Sequence, residues 1–575
     1  MGSEARAGRT AGSAILVILS AAMFIYVIDT TIMNVSISDV VADLDTEVTK
    51  VQAAITVYTL TMSAFMLTGG KLGDRWGSLR AFRIGLVVYG IGTVTTALAA
   101  NIAMLIIGWS ILEGLGSALI VPAINTLIRT NFPGDARARA YGVVWGVAAA
   151  GAAFGPIVGG AITTAATWRL AFALEAVIVV VVLIGSGKLA DSRPDEPVDL
   201  DYVGVLLSVV GLGLVVLGVL RTSTAGWDDV ATWVMIGAGL AVLGLFVVWL
   251  RHRERTGTSP LLHLSIFRHR SIREGLPVLA TQTFMQAGIL FLVPLFCQSL
   301  LGFNAFRTGV TLLPLSIAVL GVSSLSPPLG HRFYPRSIVA GGLVVLAVGG
   351  VLLSRSLDGA ESGWDLALPL AVIGVGIGLV VAQLPNLILS GADNDEASEA
   401  AGLQGTSQNL GMALGTAVVG SVILSVGFAA VADEVDSSTV LADDTRARVE
   451  ATIDAGTQSV TNEKVEDFAA GLPAEEGDEI RRIARDSQLD GYQAALLAGA
   501  AVALLGFVLA LRLPKRKLGG DRLEESARAG SKAIPTFDLE VRDLATEGPG
   551  ESTDDDAGSE TGDQTRDRTR EDPTP

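Results

Sequence analysis

The stretch Gly114–Ile128, GLGSALIVPAINTLI, lies without a gap over Gly374–Ile388, GVGIGLVVAQLPNLI, 260 positions later. At the same offset Gly142, Gly151, Gly155 and Gly160 fall on Gly402, Gly411, Gly415 and Gly420. Apolar segments with matching Gly patterns in two halves are the build of an alternating-access carrier, whose substrate site lies between the halves. A third match, LGDRWG from Leu72 against LGHRFY from Leu329, runs at an offset of 257, with His331 in place of Asp74 and Tyr334 in place of Gly77.

Composition agrees with a membrane protein. Half of the 575 residues are hydrophobic and 17% are charged, and the mean hydropathy is +0.52; a soluble chain of this size needs more surface charge. The net charge of -17 is unevenly placed: Gly427–Asp490 holds 16 acids against 6 bases, and Asp521–Pro575 holds 16 against 7. The rest of the chain is close to neutral, so the acidity belongs to an outer segment and a tail. Cys297 is the only cysteine, which excludes an intramolecular disulfide and a Cys-based metal site. Arg6 and Arg9 precede the apolar run Ala14–Ile28, read as a retained first span.

Runs long enough to cross about 30 Å of hydrocarbon recur along the chain. They lie at Ser13–Val35, Val51–Gly70, Phe82–Ala99, Ile102–Leu127, Tyr141–Thr163, Leu170–Gly187, Tyr202–Leu220 and Ala231–Leu250. The series continues with Gly275–Leu300, Phe306–Leu325, Ser337–Ser354, Leu366–Leu389, Gly402–Gly427 and Tyr492–Leu513. The pattern is six, two and six, about fourteen spans in an all-α protein of two pseudo-symmetric bundles. Basic clusters at Arg75–Arg83, Arg129–Arg139, Arg251–Arg273 and Lys515–Lys517 share one side if both termini are cytoplasmic, as the positive-inside rule requires. The expected organisation is a cytoplasmic N-terminus (1–12), a first bundle (13–187), two inserted helices with a cytoplasmic linker (188–274) and a second bundle (275–513). The second bundle includes an extracellular loop (428–490), helical at Asp443–Asp454, and a disordered acidic tail (514–575) follows. The basic, apolar-interleaved stretch Arg251–Arg273 reads as a surface helix on anionic lipid.

Four segments, in order, carry a family resemblance: IDTTIMNVSISDV (Ile28–Val40), GKLGDRWGSLR (Gly70–Arg80), GAAFGPIVGG (Gly151–Gly160) and SPLLHLSIFRHRSI (Ser259–Ile272). With the span pattern, the chain resembles the major facilitator superfamily, specifically its fourteen-span drug:proton antiporter-2 (EmrB/QacA-type) group. The resemblance implies the major facilitator fold and a non-enzymatic, cofactor-free exporter of amphipathic or cationic compounds, driven by the proton gradient. It implies that Gly70, Asp74, Arg75, Gly77 and Arg80 latch one conformation. It implies that Gly151, Gly155, Pro156, Gly159 and Gly160 form the antiporter motif. The family carries an Arg in the fourth span three residues before a Gln-Gly pair. Here the chain has Ser110 and Glu113-Gly114.

Ionisable residues inside apolar spans are costly and mark functional sites. Asp29, Glu113 and Glu175 are the candidates for proton or cation coupling. Glu113 is followed by Gly114 and Gly116, where close backbone neighbours dry the site. Glu175 has an alternative reading, as the partner of Arg169 near the outer interface. Asn34, Trp109, Trp145, Phe284, Gln286, Gln404 and Gln408 are candidates for the substrate cavity. The GK pairs at Lys71 and Lys188 lack a Ser or Thr after the Lys, so no nucleotide-driven transport is expected. No metal site and no nucleic-acid partner are expected. The partners are the lipid bilayer, a small-molecule substrate and protons, and the chain is read as a monomer in a bacterial plasma membrane. A dedicated exporter of one metabolite, antibiotic or lipid-like molecule, or a non-transporting sensor or scaffold, are the alternatives.

Overall fold

The computed structural model describes residues 2–191, 199–325, 329, 332–392, 396–454 and 462–515, all within one compact unit, Met1–Asp521. The expected disordered tail from residue 516 onward, and residues 330 and 331 of the Leu329 repeat match, lie outside the described residues. The first half comprises α1 (Gly2–Val35), a short α2 (Ile37–Asp43), α3 (Val48–Trp76), α4 (Ser78–Ala97), α5 (Ile102–Asn131), α6 (Gly134–Ala165) and α7 (Trp168–Gly185). Two further helices, α8 (Tyr202–Ala225) and α9 (Val230–Arg255), pack on each other. The second half comprises α10 (Arg270–Ser299), α11 (Ala305–Leu325), α12 (Pro335–Leu357), α13 (Ala367–Leu389) and α14 (Ala397–Ser437). Then α15 (Asp443–Asp454), α16 (Asn462–Ala470) and α17 (Ala474–Ala510) complete the chain's described helices.

Thirteen of these are long and apolar enough to span a bilayer. The expected third span is α4, whose Arg80 and Arg83 lie in its first turns.

The repeat is visible as contact geometry. A Cβ added at Gly85 would meet the Gly116 carbonyl, Ile120 and Leu119 at 3.0 Å; one at Gly342 would meet the Gly376 carbonyl, Val380 and Leu379 at 2.9–3.0 Å. Those partners are 260 positions apart and the glycines 257, so α4 on α5 and α12 on α13 are the same joint built twice. Small residues permit this backbone-to-backbone approach, which is how helices associate where lipid removes the hydrophobic drive between them.

The halves meet along two seams of different extent. On one, α3 and α14 run antiparallel from end to end: Gln52 Nε2 donates to the Thr416 carbonyl (3.1 Å), Ser63 Oγ to the Thr406 carbonyl (3.0 Å), and Lys71 pairs with Glu399 (2.6 Å). The inserted α8 covers this seam, with Thr222 Oγ1 donating to Ser421 Oγ at 2.6 Å. On the other, α6 touches α11 only at the face away from the termini. There a Cβ at Gly160 would run into the Ala305 carbonyl and one at Gly309 into the Pro156 carbonyl, and Phe306 N donates to Thr164 Oγ1 at 3.0 Å. Towards the face carrying the termini, a Cβ at Gly142, Gly146 or Gly321 would meet nothing within 4 Å. None of these three glycines is packed against a neighbouring helix.

Two expectations are corrected. Within the segment 428–490 the expected helix at Asp443–Asp454 is present as α15, but the described residues around it are more ordered than a loop: α14 continues to Ser437, α17 starts at Ala474, and Val435, Leu441, Ala469, Ile480 and Ile483 make a small core of their own beside α15. The stretch Arg251–Arg273 is not one surface helix. α9 ends at Arg255, Gly257 takes φ +70°, Pro260 follows, and only a 3₁₀ turn at Leu264–Arg268 precedes α10. Proline has no N–H to continue the helix, and the positive φ reverses the chain.

Candidate functional site

Asp29 lies on α1, six residues from its end, Glu113 lies in the middle of α5, and Glu175 lies two turns into α7. The bundle brings all three together inside the first half. Asp29 and Glu113 are 0% exposed and Glu175 is 3%. Each carboxyl offers an oxygen, and the three lie within 4.8 Å of one another.

Local sequence explains the convergence. Residues Ile106–Glu113 of α5 form a π-helical stretch, which buries Trp109 and Glu113 together; such wide turns concentrate at functional sites. Two glycines let α4 reach it: a Cβ at Gly92 would meet Glu113 Cγ and the Gly108 carbonyl at 2.7 Å, and one at Gly108 would meet Thr96 at 2.8 Å. One oxygen of each acid is held by a donor. Trp109 Nε1 donates to Asp29 Oδ1 (2.7 Å), Thr96 Oγ1 to Glu113 Oε1 (2.9 Å), and Tyr89 OH to Glu175 Oε1 (2.9 Å). The second oxygens, Asp29 Oδ2, Glu113 Oε2 and Glu175 Oε2, are buried without a hydrogen-bond partner.

Among the described residues no basic side chain pairs with these acids. Arg169, the alternative partner for Glu175, turns away to Asp43 and to the Ala99 carbonyl. Ser110 stands where the resembled family has its Arg. It is fully buried, and its Oγ donates to the Ala54 carbonyl at 2.7 Å, tying α5 to α3. Three like charges at such spacing repel by about 3 kcal/mol per pair at an effective dielectric near 20. Three bare carboxylates at this spacing are therefore strongly disfavoured.

The second half shows what this place looks like without acids. The joint that sets Gly92 against Glu113 sets Gly349 against Ile373, at 2.6 Å from a Cβ at Gly349. In the same registers Tyr89 corresponds to Leu346. Gly151 approaches Val27 as Gly411 approaches Thr283, which places Met285 at the counterpart of Asp29. Met285, Leu346 and Ile373 are apolar core residues.

The remaining candidates separate. Trp109 is 1% exposed and stacks on Tyr58 (4.7 Å, 9°), so it serves the cluster and not an open cavity. Trp145 is exposed on α6, and Phe284 is buried where α10 meets α14. Gln286 accepts from Gln282 at 2.8 Å. Asn34, Gln404 and Gln408 are half-buried, Gln404 with a partnerless Oε1. Gly151, Gly155 and Gly159 seat α6 on α1 at Phe24, Thr31 and Ile32, while Pro156 and Gly160 face α11.

At the α3–α4 corner, Gly77 takes φ +90° with Asp191 against it, Gly70 approaches Ser398, and Asp74 lines a cleft of about 360 Å³ with Thr126, Arg129, Thr130, Arg137 and Ser398. Arg75 and Arg80 are exposed. The ion pair between the halves at this end comes from Lys71, which was not singled out from sequence. It meets Glu399, which also accepts from His263 Nδ1 (2.8 Å) and His263 N (3.1 Å), while His269 meets Glu396 at 2.7 Å. The motif spacing around Lys71 was a signal for it, but its partner on α14 has no sequence signature.

A family model described as Major Facilitator Superfamily matches residues 19–416. Among curated proteins, the chain is 33% identical over 69% of its length to the "Probable actinorhodin transporter" of Streptomyces coelicolor, covering 70% of that protein. It is 30% identical over 75% of its length to the "Puromycin resistance protein pur8" of Streptomyces alboniger, covering 85%. Among solved structures, a bacterial homologue of the human lysosomal transporter Spinster, described as inward-facing and unoccupied, matches with TM-score 0.59 at 13% identity, over 89% of this chain and 99% of that one.

Proposed function

The chain belongs to the major facilitator superfamily and is a multi-pass membrane transporter, not an enzyme; from that membership and its carboxyl cluster we propose that it exports amphipathic, preferentially cationic compounds in exchange for protons. The carrying observation is the buried Asp29–Glu113–Glu175 cluster, which has no basic partner among the described residues and in which Asp29 and Glu113 have apolar counterparts in the second half. Relatives named for antibiotic transport and resistance support the cargo class. The basic clusters support cytoplasmic termini. With that orientation the close α6–α11 contacts lie on the outer side, which supports a state that admits cargo from the cytoplasm.

The geometry supplies a coupling route. Trp109 donates to Asp29 and stacks on Tyr58, and Tyr58 belongs to α3, one side of the sealed α3–α14 seam. Protonation of Asp29 weakens the charge-assisted bond from Trp109, and the indole carries that change to the seam. One inward proton supplies about 2.3 kcal/mol per 100 mV, roughly a fiftyfold gradient for an uncharged cargo, whereas a monovalent cation exported one for one moves no net charge and draws on the pH difference. The monomer contains the whole arrangement, and the bilayer, the cargo and protons are its partners.

The test is ethidium accumulation in an exporter-deficient bacterium expressing the chain, with and without a protonophore, beside Asp29→Asn and Glu113→Gln. Low accumulation that rises with the protonophore and with either substitution supports proton-driven export. Unchanged accumulation at full expression refutes it.

A further inference from the structure

We infer that the Asp29–Glu113–Glu175 cluster binds a hard metal cation, sodium, as an alternative occupant to its protons; this deepens the exporter reading above and rests on it. All the ligand atoms are carboxyl oxygens, with no His or Cys in the cluster, which selects hard cations over transition metals. Three oxygens no more than 4.8 Å apart can share a cation placed within about 2.8 Å of each of them. That bound leaves room for the roughly 2.3–2.6 Å of calcium-sized ions, a size sodium shares.

The oxygens are prepared for a ligand. Trp109, Thr96 and Tyr89 each hold one oxygen of one acid, as second-sphere groups orient metal ligands, and leave the other oxygen partnerless and buried. Three buried acceptors without donors are costly unless a proton or a cation meets them. The choice between monovalent and divalent follows from dryness. The cost of stripping water from an ion grows as the square of its charge, and a carrier must release its ion in every cycle. Sodium with two retained protons neutralises the cluster at the smaller cost. Met285, Leu346 and Ile373, the apolar counterparts of Asp29, Tyr89 and Glu113, show that packing alone does not require oxygen at those places.

The test uses the purified full-length protein at pH 8.5, with thermal unfolding followed as choline chloride is replaced by sodium, potassium or calcium chloride at constant ionic strength. Sodium is expected to raise the midpoint by several degrees, saturating in the millimolar range, with a half-saturating concentration that rises about tenfold per unit of falling pH. Asp29→Asn with Glu113→Gln should abolish the shift. Tyr89→Phe, which keeps all three acids, should raise the half-saturating concentration severalfold. A wild-type response to sodium no larger than to choline overturns the inference, as does a response to calcium alone or a sodium shift that survives loss of the acids. The wild-type comparison decides even if the double variant does not fold. Protonophore-sensitive export without any sodium shift defeats the sodium site and leaves the exporter reading standing. Protonophore-insensitive export that needs Asp29 and Glu113, beside a sodium shift, does the reverse.

Discussion

Replacing Glu113 by Ile, the residue its counterpart position already holds, should leave the protein at least as stable and stop its export. The repeat makes this unusual substitution sensible. Gly92 presses on Glu113 Cγ as Gly349 presses on Ile373 Cγ1, at 2.7 and 2.6 Å from the respective Cβ positions, so the site has room for a branched aliphatic chain. Glu113 Oε2 is buried and unpartnered, a cost of about 1–3 kcal/mol that the substitution removes. The loss is one hydrogen bond, from Thr96 Oγ1, worth about 1 kcal/mol net, and Thr96 still reaches the Gly92 carbonyl at 2.9 Å. The balance is a gain of about 0–2 kcal/mol, in keeping with the general result that buried charged groups are replaceable by packed apolar ones. Thermal unfolding of purified Glu113→Ile should show an unchanged or slightly raised midpoint, while ethidium export falls to background. A clearly lowered midpoint with export intact would refute the reasoning, since Glu113 would then serve the fold and not the ion.

Three further outcomes are expected. Lys71→Met and Glu399→Met should each destabilise, and the double substitution should cost less than their sum, with a coupling of about 1–3 kcal/mol in a double-mutant cycle on thermal unfolding; additivity within about 0.5 kcal/mol would show the pair to be incidental. Gly77→Ala should lose about 1–3 kcal/mol, because φ +90° is strained for any side chain and the Cβ would meet the Asp191 carboxylate at 2.8 Å; an unchanged unfolding midpoint counts against the described corner. Gly160→Leu should hold α6 off the Ala305 carbonyl and prevent the outer seam from closing, so export drops at least tenfold at normal expression; wild-type export in that variant would mean the seam does not need to close.

The repeat was readable because backbone contact demands glycine, and Gly116 and Gly376 leave the same mark in both halves. The three acids were readable one at a time, each as an ionisable residue in an apolar run. Their meeting was not: Asp29, Glu113 and Glu175 sit on three helices, and only the packing of α4 between α5 and α7 sets their oxygens together. Glu175 had a plausible partner in Arg169, and nothing local to either residue says that Arg169 instead reaches Asp43. Lys71 went unnoticed because a lysine near the end of a span reads as an interfacial charge, and its burial depends on α14 lying alongside. The outer segment read as a loop because its core is five scattered apolar residues whose relation appears only once α15 folds back on α14 and α17.

The contrast between the halves bears on mechanism as well as assembly. Both halves use one joint, so whatever motion the joint permits, each half can make it. Only the first carries groups whose charge can change at that joint, and these reach the α3–α14 seam through Trp109 and Tyr58. The second half contributes to the same seam a row of backbone carbonyls, at Thr406, Thr416 and Ala417, and the Glu399 carboxylate at its end. Carbonyls do not titrate, so on that side the only ionisable group named at the seam is Glu399, which is held by Lys71. On the proposed exchange, ion occupancy in the first half acts on the transition only through its different affinity for the two positions of α3, and the change of state then belongs to the first half and its register to the second.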